Sequence, residues 1–278
     1  MRIAYIVNES WFYLTMLRCS LLSLRHHSPS IPIDIYLIRD NCSNSRDIGS
    51  LPTTIASAPK VTTNMMSGMC ASLGANLIDL GNFDFGSESG YAYAHRAAFA
   101  FAPNDKTLLM DADTFVFRDL SPMFDLLNGI DFIADKNMFG ERTLLEYRGK
   151  QIRPFNSGVV LWGEGLLREY GKSVHSLCCD LRDGKHSLSD WLYKNSSTNP
   201  PLGREELACS IFVIDQGLRY RYFAKSEVQT ENYLGGCAIY HTLTHNWPNS
   251  YFRFRGIEQY FYKKNIKRLV ISSKRSFT

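Results

Sequence analysis

"LLMDADTFVFRDL" occupies Leu108 to Leu120. Three apolar residues run into Asp111 and Asp113, separated by Ala112, and apolar residues resume at Phe115. The run before Asp111 has the composition of a buried strand. An unpaired carboxylate inside a core costs several kcal/mol, so these two need a metal ion, a cationic partner or the open end of a strand.

Apolar and β-branched runs recur on both sides. "RIAYIV" (2–7), "IDIYLIR" (33–39), "ANLIDL" (75–80), "TLLMD" (107–111), "DFIAD" (131–135), "NSGVVLW" (156–162) and "CAIYH" (237–241) are expected as strands. Helices are expected between them. Residues 11–27 carry a stripe at Leu14, Leu17, Leu21 and Leu24, and further helices are expected at 90–102, at about 164–182 and around 204–214. Glu205 and Glu206 open the last of these, where negative charge suits the helix dipole. The polar stretch 40–58 and "NSSTNPPLG" (195–203) read as loops. Strands alternating with helices give an α/β class: a Rossmann-like, mainly parallel sheet flanked by helices. Ligands of such sheets bind at the carboxyl ends of the strands, which is where Asp111 stands.

In an extended segment residues i and i+2 point the same way, so Asp111 and Asp113 converge while Ala112 points elsewhere. Two carboxylates at one spot repel unless a divalent cation joins them, and hard oxygen donors suit Mg²⁺ or Mn²⁺. Such a cation would in turn hold a phosphate or diphosphate. One capping and one surface aspartate in a turn is the plainer account. Other polar groups also fall at element ends: Asn156, Ser157 and Gly158 before an apolar run, Asp215 and Gln216 after one, and His241, His245 and Trp247 at and beyond a late strand.

Composition sets the outer limits. The 278 residues are 45% hydrophobic and 21% charged, a profile that excludes a disordered or membrane-embedded chain. The seven cysteines (19, 42, 70, 178, 179, 209 and 237) are scattered and odd in number, as expected of a reduced chain. The opening "MRIAYIVNES" is too short in apolar residues for a signal sequence, and no run approaches a bilayer span. A cytoplasmic location is expected. The stretch 251–278 is basic and aromatic, so the chain is expected to divide into a main domain, 1–250, and a tail packed on it or extending from it, able to touch a membrane surface peripherally.

The order of D-x-D, F-N-S-G, D-Q and a late strand ending in histidine resembles glycosyltransferase family 8 and its relatives, and the opening, residues 2–38, is similar to their nucleotide-binding start. The resemblance reaches about residue 250 and implies a GT-A fold. It also implies a hexosyltransferase that takes a nucleotide-diphosphate sugar, a UDP-sugar above all, and works with retention of configuration. The acceptor is open: a saccharide, a lipid-linked glycan, a peptide or a small molecule, and no nucleic acid. By the same resemblance Asp111, Ala112 and Asp113 form the D-x-D that meets the donor, and Asp111, Asp113 and His241 hold the metal. Imidazole among carboxylates tilts the ion from Mg²⁺ towards Mn²⁺. Val7, Asn8 and Glu9 would lie by the nucleobase, Arg96 by the diphosphate or sugar, and Asn156, Ser157 and Gly158 along the donor sugar. Asp215 and Gln216 would stand beside the reacting carbon.

The chain departs from that family after the histidine. The family continues with glycine and then Lys-Pro-Trp, whereas "HTLTHNWPNSY" has neither the glycine nor the lysine, which leaves His245, Arg253 or Arg255 to take the lysine's place. A non-catalytic sugar- or protein-binding relative is one alternative on that ground. A haloacid-dehalogenase-like phosphatase also sets D-x-D after a buried strand, but it takes Thr or Val where Phe115 stands and needs a later acidic pair, and the chain has no Asp-Asp. A nucleotidyltransferase wants a Gly-rich basic loop after its first strand, which "VNESWFYL" lacks.

Overall fold

The structure, a computed structural model, describes residues 1–8, 11–40, 63–83, 104–136, 144–196, 204–230 and 236–241. The expected helix at 90–102, the tail 251–278, Glu9, Arg96 and His245 lie outside them.

Strands β1 (Arg2–Asn8), β2 (Ile33–Asp40), β3 (Asn76–Phe83), β4 (Thr107–Met110), β6 (Phe132–Lys136), β9 (Phe155–Trp162) and β10 (Tyr220–Tyr222) form a seven-stranded sheet in the order β10-β6-β9-β4-β1-β2-β3. All neighbours pair in parallel except β9, which is antiparallel to both β4 and β6. A three-stranded sheet joins β11 (Val228–Thr230), β12 (Ile239–His241) and β5 (Thr114–Val116), and β7 (Leu145–Tyr147) and β8 (Lys150–Ile152) form a hairpin.

Alternation along β1 explains why the large sheet is buried on both faces. Ile3, Tyr5 and Val7 enter one core with α1 (Trp11–His27), whose stripe Leu14, Leu17, Leu21 and Leu24 is buried as its spacing requires. Ala4 enters the other core with Trp162, α3 (Leu166–Arg182) and α5 (Arg204–Asp215). There Trp162 stacks on Tyr170 at 5.0 Å, and the edges of Phe132 and Phe212 close around it.

Several short elements carry too little periodicity to be read in advance. They include α2 (Thr63–Ser72), α4 (Ser189–Ser196), β5, β10 and β11. The β7–β8 hairpin turns on Arg148 and Gly149, both at positive φ, 49° and 71°, the geometry of a tight type I′ connection. Among the described residues no helix is long and apolar enough to cross a membrane.

Candidate functional site

Strand β4 ends at Met110, and the chain turns at once into β5, which belongs to the other sheet. Asp111 and Asp113 sit on that turn, at the carboxyl end of β4. The turn is held from two sides: the Asp111 amide donates to the Gly158 carbonyl at 2.7 Å, and Thr114 Oγ1 donates to the Asp111 carbonyl at 2.8 Å. Strand β12 pairs antiparallel with β5 so that His241 lies opposite Thr114. That register carries the histidine across the chain to the aspartates.

Donor atoms of Asp111, Asp113 and His241 all lie within 4.8 Å of one another. His241 Nε2 is 3.3 Å from Asp113 Oδ1 and 3.7 Å from Asp111 Oδ2. The Asp113 and His241 side chains are buried, and Asp111 is the partly open member, a quarter exposed. Burial by itself would lower the His241 pKa. The Asp113 carboxylate outweighs it, with Asp111 and Asp135 adding to the effect, and the imidazole is held up at about 9. Burial pushes Asp111 up to about 6 against the pull of His241, and Asp113 adds repulsion. In the metal-free protein, therefore, a proton on His241 supplies the positive charge that two clustered carboxylates need.

The donor set fits a divalent ion: two carboxylate groups and one imidazole around a common point, one of them facing solvent. Gly158 completes the fit. A Cβ built there would lie 2.1 Å from His241 Cε1, so the ring rests directly on the strand β9 main chain. Asn156 Oδ1 accepts the Gly158 amide at 3.0 Å and steadies the same segment. A bulge makes this possible: Ala134 pairs with Val160, but Asp135 pairs with Asn156, so Ser157 to Val159 are extra residues on β9.

The remaining candidate residues separate into two groups. Asn156 is in place, with Nδ2 donating to Glu206 Oε1 at 3.3 Å. Ser157 lies half-buried beside it, and Ala112 is buried in the turn. Val7 is a core side chain at 2% exposure, so only its main chain is left to meet a ligand, and Asn8 is the last residue of β1. Asp215 and Gln216 are not brought to the cluster. They close α5 at its carboxyl end, whereas Glu206, at its start, touches Asn156; about 14 Å of helix separates Glu206 from Asp215. Gln216 lines a cleft with Lys106, which precedes β4, and Asp131, which precedes β6, at the end of the sheet opposite Asp111. Asp215 pairs with Arg148 at 3.2 Å and takes a long 3.5 Å hydrogen bond from Tyr147, which fastens the β7–β8 hairpin. Asp215→Asn is expected to cost under about 1 kcal/mol, as exposed pairs do, and to leave metal affinity unchanged. A calorimetric titration with Mn²⁺ checks this, and a weakened affinity would return Asp215 to the site.

Three residues beyond the expected set belong to the neighbourhood. Glu205 and Glu206 open α5, with Glu206 beside Asn156. Asp135, at the bulge, accepts a hydrogen bond from Thr230 and is pushed up by burial. The signal for the glutamates was an acidic pair heading an apolar helix, a pattern that a helix dipole alone also explains.

No protein-family model matches the chain, and no curated protein matches its sequence. Solved structures do match. The galactosyltransferase LgtC, solved in complex with donor and acceptor sugar analogs, superposes with a TM-score of 0.56 at 14% identity, over 93% of this chain and 95% of LgtC. The fold is GT-A. The glycosyltransferase GlyE of Streptococcus pneumoniae TIGR4 superposes at 0.55 with 15% identity over 95% of this chain, which spans 63% of GlyE. The WbbM bifunctional glycosyltransferase gives 0.50 at 12% identity over 87% of this chain and 45% of its own. This GT-A sheet sets the aspartate turn at the carboxyl end of a central strand, where open α/β sheets bind ligands.

The pH dependence of the site follows from its charges. The fold raises His241 above its ordinary 6.5, so the imidazolium stabilises the metal-free protein fully below that pH, and this stability is lost as pH rises through about 9. Asp111 is raised too, so the folded state again prefers the proton, and stability falls as pH rises from 3.8 through about 6. A metal must displace the His241 proton to bind. The midpoint temperature of metal-free protein is therefore expected to fall between pH 6.5 and 9, while Mn²⁺ affinity rises over the same interval. Thermal melts and titrations in buffers of different ionisation enthalpy measure both. A pH-independent affinity would contradict this account.

Proposed function

We propose that the chain is a metal-dependent glycosyltransferase that moves a hexose from a UDP-sugar to a hydroxyl acceptor with retention of configuration. The observation that carries this reading is the Asp111–Asp113–His241 cluster, placed at the carboxyl end of β4 in a GT-A fold. Asp111, Asp113 and His241 would hold Mn²⁺ or Mg²⁺. When bound, the ion supplies charge neutralisation for a departing diphosphate.

The chain's own groups account for the rest. The exposed side of Asp111 leaves the cluster open towards a ligand. Asn156 is 6% exposed, and with Nδ2 donating to Glu206 and Oδ1 accepting the Gly158 amide it would shape the donor-sugar side of the site by holding the Gly158 segment in place. Glu206, at the start of α5, would supply the carboxylate that stabilises positive charge developing at the anomeric carbon, a role its hydrogen bond from Asn156 supports. In the transfer the bond from that carbon to the phosphate oxygen breaks and a bond to the acceptor oxygen forms. The acceptor's proton passes to the departing phosphate oxygen.

The test is a thermal-shift panel of nucleotide sugars with and without Mn²⁺, followed by product analysis with the sugar that responds. A shift that requires Mn²⁺ and one UDP-sugar is expected. No shift with any nucleotide sugar in the presence of Mn²⁺ would refute the reading.

A further inference from the structure

Behind the aspartate turn runs a file of buried hydroxyls. Tyr5 Oη, on β1, is 2.8 Å from Ser20 Oγ on α1, which is 3.0 Å from Thr114 Oγ1, which is 2.8 Å from the Asp111 carbonyl. All three side chains belong to residues at 0% exposure. We propose that this Tyr5–Ser20–Thr114 file positions the Asp111–Asp113 turn for a divalent cation and thereby sets the cation affinity, a step that rests on the metal-dependent reading above.

The direction of the file is fixed by its end. A carbonyl oxygen only accepts, so Thr114 gives its one proton to Asp111 and must accept from Ser20. Ser20 then gives its proton to Thr114 and accepts from Tyr5. Burial pushes Tyr5 up to about 12, so it remains a donor throughout the working pH range. Each hydroxyl along the file is thereby hydrogen-bonded, the condition for a buried polar chain to rigidify its surroundings.

Thr114 is the junction. Its hydroxyl holds the Asp111 carbonyl, and its main chain pairs with His241. Asp111 is tied on its other side to Gly158, the residue the His241 ring rests on. A shift at Thr114 therefore moves the ligand groups relative to one another. Two further contacts extend the clamp past the turn: Ser23 Oγ, on α1, accepts the Val116 amide at 3.0 Å, and Ser28 Oγ, just after the helix ends at His27, accepts the Leu120 amide at 2.8 Å. These serve strand β5 and the segment after it. The Tyr5 file alone ends on a residue of the metal cluster.

The experiment is an Mn²⁺ titration, read by calorimetry and by the electron paramagnetic resonance line shape of the bound ion, held well below each variant's melting temperature. Thr114→Val keeps the shape and removes the hydroxyl; it is expected to weaken Mn²⁺ about tenfold or more and to broaden the bound-ion spectrum, the scale seen when an outer hydrogen-bond partner of a ligand is lost. Ser20→Ala and Tyr5→Phe should weaken it progressively less, and Thr114→Ser should restore it. A purely structural hydroxyl would lower the melting temperature and leave affinity and spectrum alone. That result, in a folded Thr114→Val or in Ser20→Ala if Thr114→Val does not fold, overturns the proposal while the metal reading stands. Absence of Mn²⁺ binding by the unsubstituted chain overturns both.

Discussion

Replacing Asp113 with Asn is expected to abolish Mn²⁺ binding and sugar transfer while leaving the fold in place. Asp113 is the buried carboxylate of the cluster, at 3.3 Å from His241 Nε2, and it is the main reason that the imidazole stays charged. An amide keeps the size and one oxygen but loses the charge. The affinity loss should exceed the roughly 100-fold that follows from losing an outer hydrogen-bond partner. Removing a single electrostatic donor already costs about 100- to 1,000-fold in rate, and loss of the ion should cost more.

The effect on stability runs differently. Breaking a buried ion pair is severe when it strands a charge, but here Asp111 remains 3.7 Å from the same nitrogen, and the repulsion between the two aspartates disappears. The imidazole then drifts back towards its neutral form. A melting temperature within a few degrees of the original is expected, with the His241 titration moved down and visible by nuclear magnetic resonance. Full transfer by this variant with Mn²⁺ present would sink the assignment of the cluster.

The aspartate turn was legible because two short-range rules coincide there: an apolar run makes the strand, and i, i+2 spacing aims both carboxylates one way. His241 was not legible from spacing. Its approach depends on the pairing of β12 with β5, three residues each, and strands so short leave almost no periodic trace. The position of Asp215-Gln216 was not legible for a related reason. Asp215-Gln216 matches as a dipeptide, but which end of α5 faces the site is decided by the packing of the helix on β9, through Ser210 to the Phe155 amide and Glu206 to Asn156. Glu205 and Glu206 read equally well as dipole partners, and local chemistry does not separate the two roles. Ser20 lies among leucines at 17, 21 and 24 and would pass for an incidental small residue. Only the tertiary structure brings it to Thr114.

Among the described glycines, Gly158→Ala should be the most damaging added methyl group. The glycine looks at first like a residue that lets a sugar approach β9, or one chosen for unusual backbone geometry. Its φ does not require glycine; the space does. An added Cβ would stand 2.1 Å from His241 Cε1 and 2.7 Å from both ring nitrogens, closer than any tolerated contact. Neither side can yield cheaply. Gly158 is tied to Asp111 through its carbonyl and to Asn156 through its amide, and His241 is 3% exposed on a strand paired to Thr114. The ring must swing away, which costs about 1–3 kcal/mol of overpacking and removes one ligand from the cluster. A fall in Mn²⁺ affinity beyond the roughly 100-fold of losing an outer hydrogen-bond partner is expected, because a ligand itself is displaced. The double variant Gly158→Ala with His241→Ala separates the two effects: deleting the ring relieves the clash, so the melting temperature should recover towards that of His241→Ala alone while Mn²⁺ binding stays lost. If Gly158→Ala binds Mn²⁺ normally, the contact between the glycine and the imidazole does not govern the site, and His241 reaches the metal by another route.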